Sequence, residues 1–334
     1  MKFIDIDSNS NKIRINAIQC HEAWKDAMEK WRTYKGSMMW RTVSGTDYLI
    51  HQSAKTQKSL GARSVETESI YGNFQERKSE LSERIKSLKT SQEKQARLCK
   101  AVNANRIPRM VADISRRMSD FPALSNKTLI VGTNALYAYE AAAAVYFEPG
   151  MVATDDVDVL WDTRKKISIA STEPKGFIGL LKSIDKSFEI MRGDKFRAAN
   201  KDGFLVDLIQ PSNKDAMFSN YASMSDFPDD LVAVEIKGLA WLVSCPKFTS
   251  TGIDGQGFPV DITAPDPRAY AMHKHWLSTR GDRDPGKKKR DREQSLAVFQ
   301  LVDERLPFLN FSDDALRAMP YEVRKSSIDF GFGL

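Results

Sequence analysis

The first part of the chain, residues 1–125, has the hydrophobic spacing of helices after one short apolar segment at 2–6, which predicts a strand. Within 71–102, charged residues separate apolar ones that recur at helical intervals, namely Tyr71, Phe74, Leu81, Ile85, Leu88 and Leu98. Ser91 and Gln95 interrupt this row, so the pattern predicts a long charged helix and not a sustained coiled coil. Such a helix packs either on the rest of the chain or on a second copy, and the second case would make the protein an oligomer.

The second region, residues 126–261, has the pattern of an α/β core. Residues 129–131 predict a buried strand, and a glycine turn and an alanine-rich helix follow it. Two later segments, VDVLW at 157–161 and GFLVDLI at 203–209, are rich in β-branched residues and predict two further strands. The helix between the first two strands and the carboxylates on the later ones indicate a catalytic core.

The third region, residues 262–334, is predicted to be helical. It opens with the turn-rich APDP, after which AYAMHKHWLSTR at 269–280 begins a helix. The next segment, GDRDPGKKKRDREQ at 281–294, is predicted to be a basic loop that leads into a second helix. The whole chain is therefore expected to be an α/β (α+β) protein with a mixed-sheet core between N-terminal and C-terminal helical regions.

Composition narrows the class of protein without deciding its function. The 334 residues are 41% hydrophobic and 28% charged, which is typical of globular proteins. The formal net charge of +6 and the pI of about 9.0 favour anionic partners such as nucleotides or nucleic acid. Three widely spaced cysteines argue against a disulfide framework and a zinc site. No secretory signal or membrane-spanning run is apparent, so we expect a soluble, cytoplasmic protein.

Three acidic residues carry the candidate chemistry. Asp156 and Asp158 lie two positions apart in a predicted strand, so their side chains project from the same face. Asp207 lies in a separate predicted strand and can complete the cluster. Neighbouring carboxylates repel each other unless a cation lies between them, and hard oxygen ligands suit Mg²⁺, with Mn²⁺ as an alternative. Three such ligands can hold two metal ions for an in-line phosphoryl displacement.

Gly132 ends the first predicted strand of the core, 24 residues before Asp156. A turn between a strand and a helix offers free backbone N–H groups and the positive end of the helix dipole to a triphosphate. A glycine there lets the phosphates approach closely. The alternative interpretation is that Gly132 only permits a tight turn.

Several segments together resemble a known family. The segments VGTNALYAYEAAAAV, ATDDVDVLWD and NKDGFLVDLIQP are similar to a family of bacterial nucleotidyltransferase-fold proteins within the DNA-polymerase-β-like superfamily. The resemblance extends upstream to RSVETESIYGNFQERK and downstream to DPRAYAMHKHWLSTRGDRDPGKKKRD, so it covers most of the chain from about residue 62 onwards. It implies a polymerase-β-like core and nucleotidyl transfer from an NTP, but it does not identify the acceptor.

The family pattern is a hydrophobic residue with Gly-Gly or Gly-Ser, then a pair of aspartates, then a third acid on another strand. Asp156, Asp158 and Asp207 match its acids as metal ligands and catalytic residues, and Gly132 matches its glycine. Thr133 departs from the usual Gly or Ser, because it keeps a hydroxyl but adds a methyl group beside the triphosphate.

The third region is expected to supply contacts to phosphates. Related nucleotidyltransferases place a helix lysine near the β- and γ-phosphates, which favours Lys274, with Arg280 second. Eight cations fall within 19 residues, namely Lys274, Arg280, Arg283, Lys287, Lys288, Lys289, Arg290 and Arg292. The run from 287 to 290 is either a solvated loop or a phosphate-binding segment. Asp291 is expected to anchor Arg290 or a neighbour, and the histidines on either side of Lys274 are interpreted as structural.

Three other functions compete with nucleotidyl transfer. A nuclease could use Asp207 with the ExK sequence formed by Glu235 and Lys237, but it leaves the aspartate pair unexplained. A glycosyltransferase with a DxD motif explains the pair but not the third acid. A catalytically inactive nucleotidyltransferase fold that serves as a sensor or scaffold needs the acidic triad to be vestigial.

The sequence thus favours a Mg²⁺-dependent nucleotidyltransferase that releases pyrophosphate. RNA, tRNA ends especially, is the first choice of acceptor, because the chain is basic and has a long charged helix. A protein hydroxyl is the second choice and a small molecule the third. No residue identifies the base of the NTP.

Overall fold

The computed structural model describes residues 2–53, 56–164, 175–212, 222–225, 227–311 and 314–332. Its contacts divide the chain into two compact units. One unit, which we call the catalytic unit because it contains the predicted catalytic core, comprises residues 1–11, 105–256 and 260–334. The other, the N-terminal unit, comprises residues 12–104 with 257–259. The division into 1–125, 126–261 and 262–334 by sequence pattern stays a prediction.

The elements alternate between helices and strands along most of the chain. The helices are α1 (Ser8–Thr33), α2 (Val65–Ala101), α3 (Arg109–Ser119), α4 (Pro122–Ser125), α5 (Leu136–Ala143), α6 (Pro149–Val152), α7 (Gly176–Ile184), α8 (Leu239–Ser244), α9 (Pro267–Thr279), α10 (Pro285–Arg305) and α11 (Tyr321–Phe332). The strands are β1 (Phe3–Asp5), β2 (Ser37–Val43), β3 (Thr46–Ser53), β4 (Thr56–Ala62), β5 (Thr128–Val131), β6 (Val145–Phe147), β7 (Asp156–Trp161), β8 (Glu189–Met191), β9 (Asp194–Ala199), β10 (Leu205–Pro211), β11 (Ala222–Ser223), β12 (Val232–Ile236), β13 (Lys247–Ile253) and β14 (Pro259–Pro265).

A mixed seven-stranded sheet forms the centre of the catalytic unit. Its main path is β11-β12-β10-β7-β5, and β9 pairs with both β10 and β8. Strands β7, β10 and β12 are parallel to one another, whereas β5 and β9 run antiparallel to their neighbours. The predicted α/β fold with a mixed sheet is therefore confirmed.

Alternation along the two central strands explains why this sheet forms. Val157 and Val159 of β7 are completely buried, as are Val206 and Leu208 of β10, and all four belong to one hydrophobic core. Because successive side chains of a strand point to opposite faces, this burial directs the intervening aspartates to the other face. The core thus determines the position of the candidate site.

The C-terminal helices correct one prediction. Residues 281–294 are not a basic loop, because α10 begins at Pro285 and contains the whole run of lysines. Asp284 caps this helix, since its Oδ1 accepts a hydrogen bond of 3.0 Å from the backbone N–H of Lys287. Proline at the first helical position and good helix formers after it favour the same start.

The N-terminal unit contains an antiparallel sheet, β2-β3-β4, that the helical prediction for residues 1–125 missed. The predicted strand at 2–6 is confirmed as β1, which pairs with β6 in the catalytic unit. The long helix α2 is confirmed and packs on the small sheet, where the rings of Tyr71 and Trp40 lie 5.9 Å apart.

The predicted apolar row of α2 is wrong at its end. Leu98 is exposed, and Gln92, Ala96 and Cys99 are buried in its place. Steps of four and three residues from Leu88 lead to those three positions, whereas Leu98 is rotated away from them by about one residue's turn of 100°. An oligomer through this helix stays a prediction. In the described part of the chain, no helix is both long enough and apolar enough to cross a bilayer.

Glu140 is a buried acid in the interior of the catalytic unit. It accepts hydrogen bonds from Arg106 Nη2, at 3.2 Å, and from the backbone N–H of Phe147, at 2.7 Å. Burial raises the pKa of Glu140 from 4.5 to about 7, and the charge and hydrogen bonds of Arg106 only partly oppose this. The folded state therefore binds this proton more tightly than the unfolded state does.

We expect Glu140 to make the protein less stable as the pH rises. Its contribution is fully present below its unfolded pKa of 4.5 and is lost as the pH rises through its folded pKa of about 7. The variant Glu140→Gln should lose this dependence. Urea unfolding from about pH 5 to about pH 8 measures it, with Glu148→Gln, which is exposed, as the control. An unchanged pH dependence in Glu140→Gln would contradict the assignment.

Candidate active site

The three predicted acids lie on neighbouring strands of the central sheet. Asp156 and Asp158 occupy alternate positions of β7, and Asp207 lies opposite Asp158 in the parallel register of β7 and β10. Residues paired in this way project to the same face, so the structure places all three carboxylates on one face. Asp155, next to the pair, is exposed and precedes the strand.

Glycine at position 132 does more than permit a tight turn. It follows Val131, the residue of β5 that pairs with Asp158, and it begins a turn of 3-10 helix that leads into α5. Its φ is +62°, and a Cβ built on it would overlap Oδ2 of Asp158. The glycine thus makes room for a carboxylate of the cluster. Asn134 fastens the same turn to β7, because its side-chain amide donates a 2.6 Å hydrogen bond to the carbonyl of Asp156.

The acids repel one another at this site. The pKa of Asp158 is raised from 3.8 to about 6, first by burial and then by the charges of Asp156 and Asp207, while Lys274 and Lys287 oppose the shift. A cation between these carboxylates would remove the repulsion. The donor set consists only of hard oxygens, which fits a divalent cation such as Mg²⁺.

Arg197 of β9 is a site residue that the sequence interpretation missed. Its Nε and Nη2 each donate a 2.6 Å hydrogen bond to one oxygen of Asp207, which is only 6% exposed. The sequence could have indicated this pairing through the short connection at 200–204. If that connection joins two strands of a hairpin, counting back from Asp207 through it reaches Arg197.

The pairing with Arg197 affects how Asp207 can serve a metal ion. A carboxylate has about four lone-pair sites, and a bidentate arginine occupies two of them, which leaves one on each oxygen. In the part of the chain that the structure describes, Asp156 and Asp158 have no arginine partner of this kind, although the hydroxyl of Thr154 donates to Oδ1 of Asp156. Among the described residues, no three His, Cys, Asp or Glu side chains already surround one point as a metal site. The residues fit a cation held mainly by Asp156 and Asp158.

Lys274 is a buried residue of α9 whose charge acts on Asp158. Its Nζ donates a 2.7 Å hydrogen bond to Oδ1 of Asp291, and Arg283 donates a 2.8 Å bond to the other oxygen. Burial lowers the pKa of Lys274, and Asp291 opposes that shift. Asp291 therefore anchors Lys274 and Arg283, not Arg290 as one alternative had it. Adjacent residues of a helix point about 100° apart, and Arg290 bonds the carbonyl of Ala153.

Arg280, the second predicted phosphate contact, is engaged by other side chains, and its contact with phosphates stays a prediction. It forms an ion pair with Asp282 and stacks on Trp276, with 4.7 Å from the guanidinium carbon to the ring centre. Lys287 lies near the acids, since its charge acts on Asp158. The two neighbouring histidines are structural, as predicted. His273 packs against Trp241 and Trp276, and His275 stacks on Phe330.

The region that holds these residues matches a known family. A family model described as nucleotidyltransferase matches residues 109–320, which is more than half of the chain. The chain belongs to this nucleotidyltransferase family. No curated protein and no solved structure gives a significant match. The resemblance in the sequence is thereby confirmed, and the three acids, Gly132 and Lys274 all lie inside the matched range.

Thr133 of this nucleotidyltransferase is oriented by a second residue that sequence analysis missed. The side-chain amide of Gln294, which is fully buried, donates to Thr133 Oγ1 at 3.3 Å and to the carbonyl of Met151 at 2.8 Å. The amide of Gln294 is oriented so that its nitrogen faces these two acceptors. Its oxygen then accepts a 3.2 Å hydrogen bond from the hydroxyl of Tyr270. Since Thr133 Oγ1 already accepts, its own proton is free to donate to an anion.

The nuclease interpretation does not fit the register of the sheet. Glu235 pairs with Gln210, three residues beyond Asp207 along β10. An odd offset places Glu235 on the opposite face, about 10 Å further along the strand. Lys237 follows the end of β12 and is exposed. Asp207 and the ExK residues therefore do not form one site.

We expect Gly132→Ala to disturb Asp158 without unfolding the protein. The new methyl group displaces the carboxylate, and the left-handed backbone costs about 1–2 kcal/mol with a side chain. Divalent-ion affinity, measured by titration calorimetry with Mn²⁺, should fall at least tenfold. Gly150→Ala is the matched control, because its Cβ meets open space and its φ is not positive. Equal Mn²⁺ affinity in both variants would show that Gly132 only serves the turn.

Asp291→Ala should be among the most destabilising substitutions in the C-terminal helices. It leaves Lys274 and Arg283 without their shared partner, and breaking a buried pair in this way costs about 3–5 kcal/mol. Asp282→Ala, which removes an exposed partner of Arg280, should leave the free energy of unfolding unchanged within error. Urea unfolding compares the two variants. Similar losses in both would mean that the Lys274–Asp291 pair is not a buried anchor.

Proposed function

We propose that the protein is a Mg²⁺-dependent nucleotidyltransferase that moves a nucleoside monophosphate from an NTP to an acceptor hydroxyl and releases pyrophosphate. The observation that carries this proposal is the parallel register that places Asp207 opposite Asp158, with Asp156 on the same face. Membership of the nucleotidyltransferase family supports the general reaction. The metal ion, the NTP and the acceptor are parts of the proposal.

The acids of the sheet hold and orient the reacting groups. Mg²⁺, or Mn²⁺, when bound would neutralise the phosphate oxygens and favour the ionised acceptor hydroxyl. Asp156 and Asp158 would hold it. Asp207 would contribute a remaining lone pair on the acceptor side and take the proton of the hydroxyl, while Arg197 keeps its carboxylate in a fixed orientation.

The residues around the turn and the C-terminal helices bind the triphosphate. The backbone at Gly132 and the hydroxyl proton of Thr133 face the phosphates in this proposal. Lys274 stabilises charge that develops on the leaving pyrophosphate. Lys287 is the better second cation, because Arg280 would first have to leave Asp282.

RNA, including tRNA ends, is the acceptor we favour, and a protein hydroxyl is the alternative. The positive net charge of the chain supports a polyanionic acceptor. A catalytically inactive scaffold is the competing function. The room that Gly132 leaves for the Asp158 carboxylate argues against it, since a vestigial carboxylate would not require that space.

Transfer of label from α-³²P NTPs tests the proposal. With Mg²⁺ and with total RNA, tRNA or cell lysate, we expect label on a discrete RNA or protein band. Asp156→Ala should reduce the transfer by at least about a thousandfold, the scale of losing an essential electrostatic group. Asp155→Ala, at the exposed neighbouring acid, should transfer as the wild type does.

Other outcomes of this assay would contradict the site assignment or favour the catalytically inactive scaffold. Equal transfer by Asp156→Ala and Asp155→Ala would show that Asp156 is not a metal ligand. Absence of transfer in the wild type, together with absence of NTP binding by calorimetry, would favour the scaffold.

A further inference from the structure

The N-terminal unit carries the positive charge of the protein. Residues 12–104 contain 18 lysines and arginines against 10 aspartates and glutamates, a net charge of +8, whereas the whole chain carries +6. Residues 257–259 add no charge, so the catalytic unit has a net charge of −2. A polyanion that binds this protein through its net charge is therefore attracted by the N-terminal unit.

Within that unit the charge is concentrated on one half of α2. Residues 65–83 contain five acidic and two basic residues, and Arg77 forms an ion pair with Glu80 at 2.9 Å. Residues 84–101 contain six basic residues and a single acid, Glu93. All six cations are exposed, and none of them has an ion pair with a carboxylate among the described residues.

Five of these cations lie along one face of the helix, which we call the basic ridge: Lys86, Lys89, Lys94, Arg97 and Lys100. At 100° per residue they fall within about 140° of the helix circumference and extend over about 21 Å of its length. The ridge lies beside the buried row that continues through Gln92, Ala96 and Cys99, so the packing of α2 holds it in place.

The ridge is arranged for a partner and not for solvent alone. A solvated helix often pairs opposite charges at spacings of three and four residues, as Arg77 and Glu80 do in the first half of α2. The ridge places like charges three residues apart, at Lys86 and Lys89 and again at Arg97 and Lys100. Its single acid, Glu93, lies four residues from both Lys89 and Arg97 and offsets only part of this charge. The neighbouring cations repel each other in the free protein, and an anion that lies along the ridge removes the repulsion.

We propose that the basic ridge binds the phosphodiester backbone of a nucleic acid. A nucleic-acid strand presents one negative charge at each regular backbone repeat, which matches a row of cations on a straight helix over about 21 Å. The contacts are to phosphate, so they hold the polymer without reading its bases. Binding by the ridge does not depend on the proposed reaction. The identification of this nucleic acid as the nucleotide acceptor rests on the proposed function.

The test is fluorescence anisotropy of a fluorescein-labelled RNA hairpin with the full chain, without NTP or divalent ion. A DNA hairpin of the same sequence is the second probe, and unlabelled polyglutamate is a competitor. The ridge variant replaces Lys86, Lys89, Lys94, Arg97 and Lys100 by glutamine. The matched control replaces five other exposed cations of the same unit by glutamine, namely Lys12, Lys30, Lys35, Arg41 and Lys58.

We expect the ridge variant to bind the RNA hairpin at least tenfold more weakly and the control variant to retain most of the affinity. The slope of log K against log salt should flatten by about 4 in the ridge variant, because each duplex phosphate contact contributes about 0.9. Glu93→Lys adds a cation within the ridge, so it should tighten binding and steepen the slope by about 1. Because Glu93→Lys is a single substitution, its gain in affinity remains informative even if a thermal melt shows that the ridge variant with five substitutions is unfolded.

Four results would overturn the proposal. Equal losses in the ridge and control variants would mean that only net charge matters. Unchanged binding in the ridge variant, or no gain in Glu93→Lys, would place the contact elsewhere. Competition by polyglutamate as strong as that by unlabelled DNA at equal charge would indicate an acidic protein as the partner. Asp156→Ala should bind the hairpin as the wild type does, so failure of the proposed reaction and failure of the ridge give different results.

Discussion

Repulsion among three carboxylates on adjacent strands is the constraint on which the candidate site depends. The valines and leucine that alternate with these acids must be buried, so the core determines that Asp156, Asp158 and Asp207 share a face. The surrounding structure compensates these charges unequally. Asp207 has a bidentate arginine, whereas Asp158 has only space at Gly132 and the charges of two lysines, and its pKa stays raised. The pair on β7 is therefore the least compensated, and it is where a divalent cation fits.

The C-terminal helices hold the residues of the proposed phosphate site in place. Asp291 holds Lys274 and Arg283 through charge-assisted bonds in a buried setting, where such bonds are strong and costly to break. One turn further along α10, Gln294 reaches the turn that follows β5. A single helix therefore positions both the buried lysine and the threonine hydroxyl, which couples the two halves of the proposed triphosphate site.

The fold and the acids could be predicted because both follow from local patterns. The pattern of apolar residues predicted strands at the three acids, and helical spacing predicted the long helix α2. The failures also have physical reasons. Arg197 pairs with Asp207 through a hairpin, and Gln294 lies 161 positions from Thr133, so neither contact leaves a periodic signal in the chain. The three-stranded sheet in the N-terminal unit went unrecognised because most of its β2 and β4 positions are exposed and break the alternation.

In the proposed reaction, the balance of charge at the site links the metal ion and the nucleotide. Arg197 offsets one of the three carboxylates, but the raised pKa of Asp158 shows that the nearby lysines do not cancel the repulsion within the cluster. A triphosphate that approached these acids alone would be repelled by them. Asp156 and Asp158 therefore favour the nucleotide only when a cation lies between the two sets of oxygens. By linkage, each of the two ligands must then strengthen the binding of the other by the same factor.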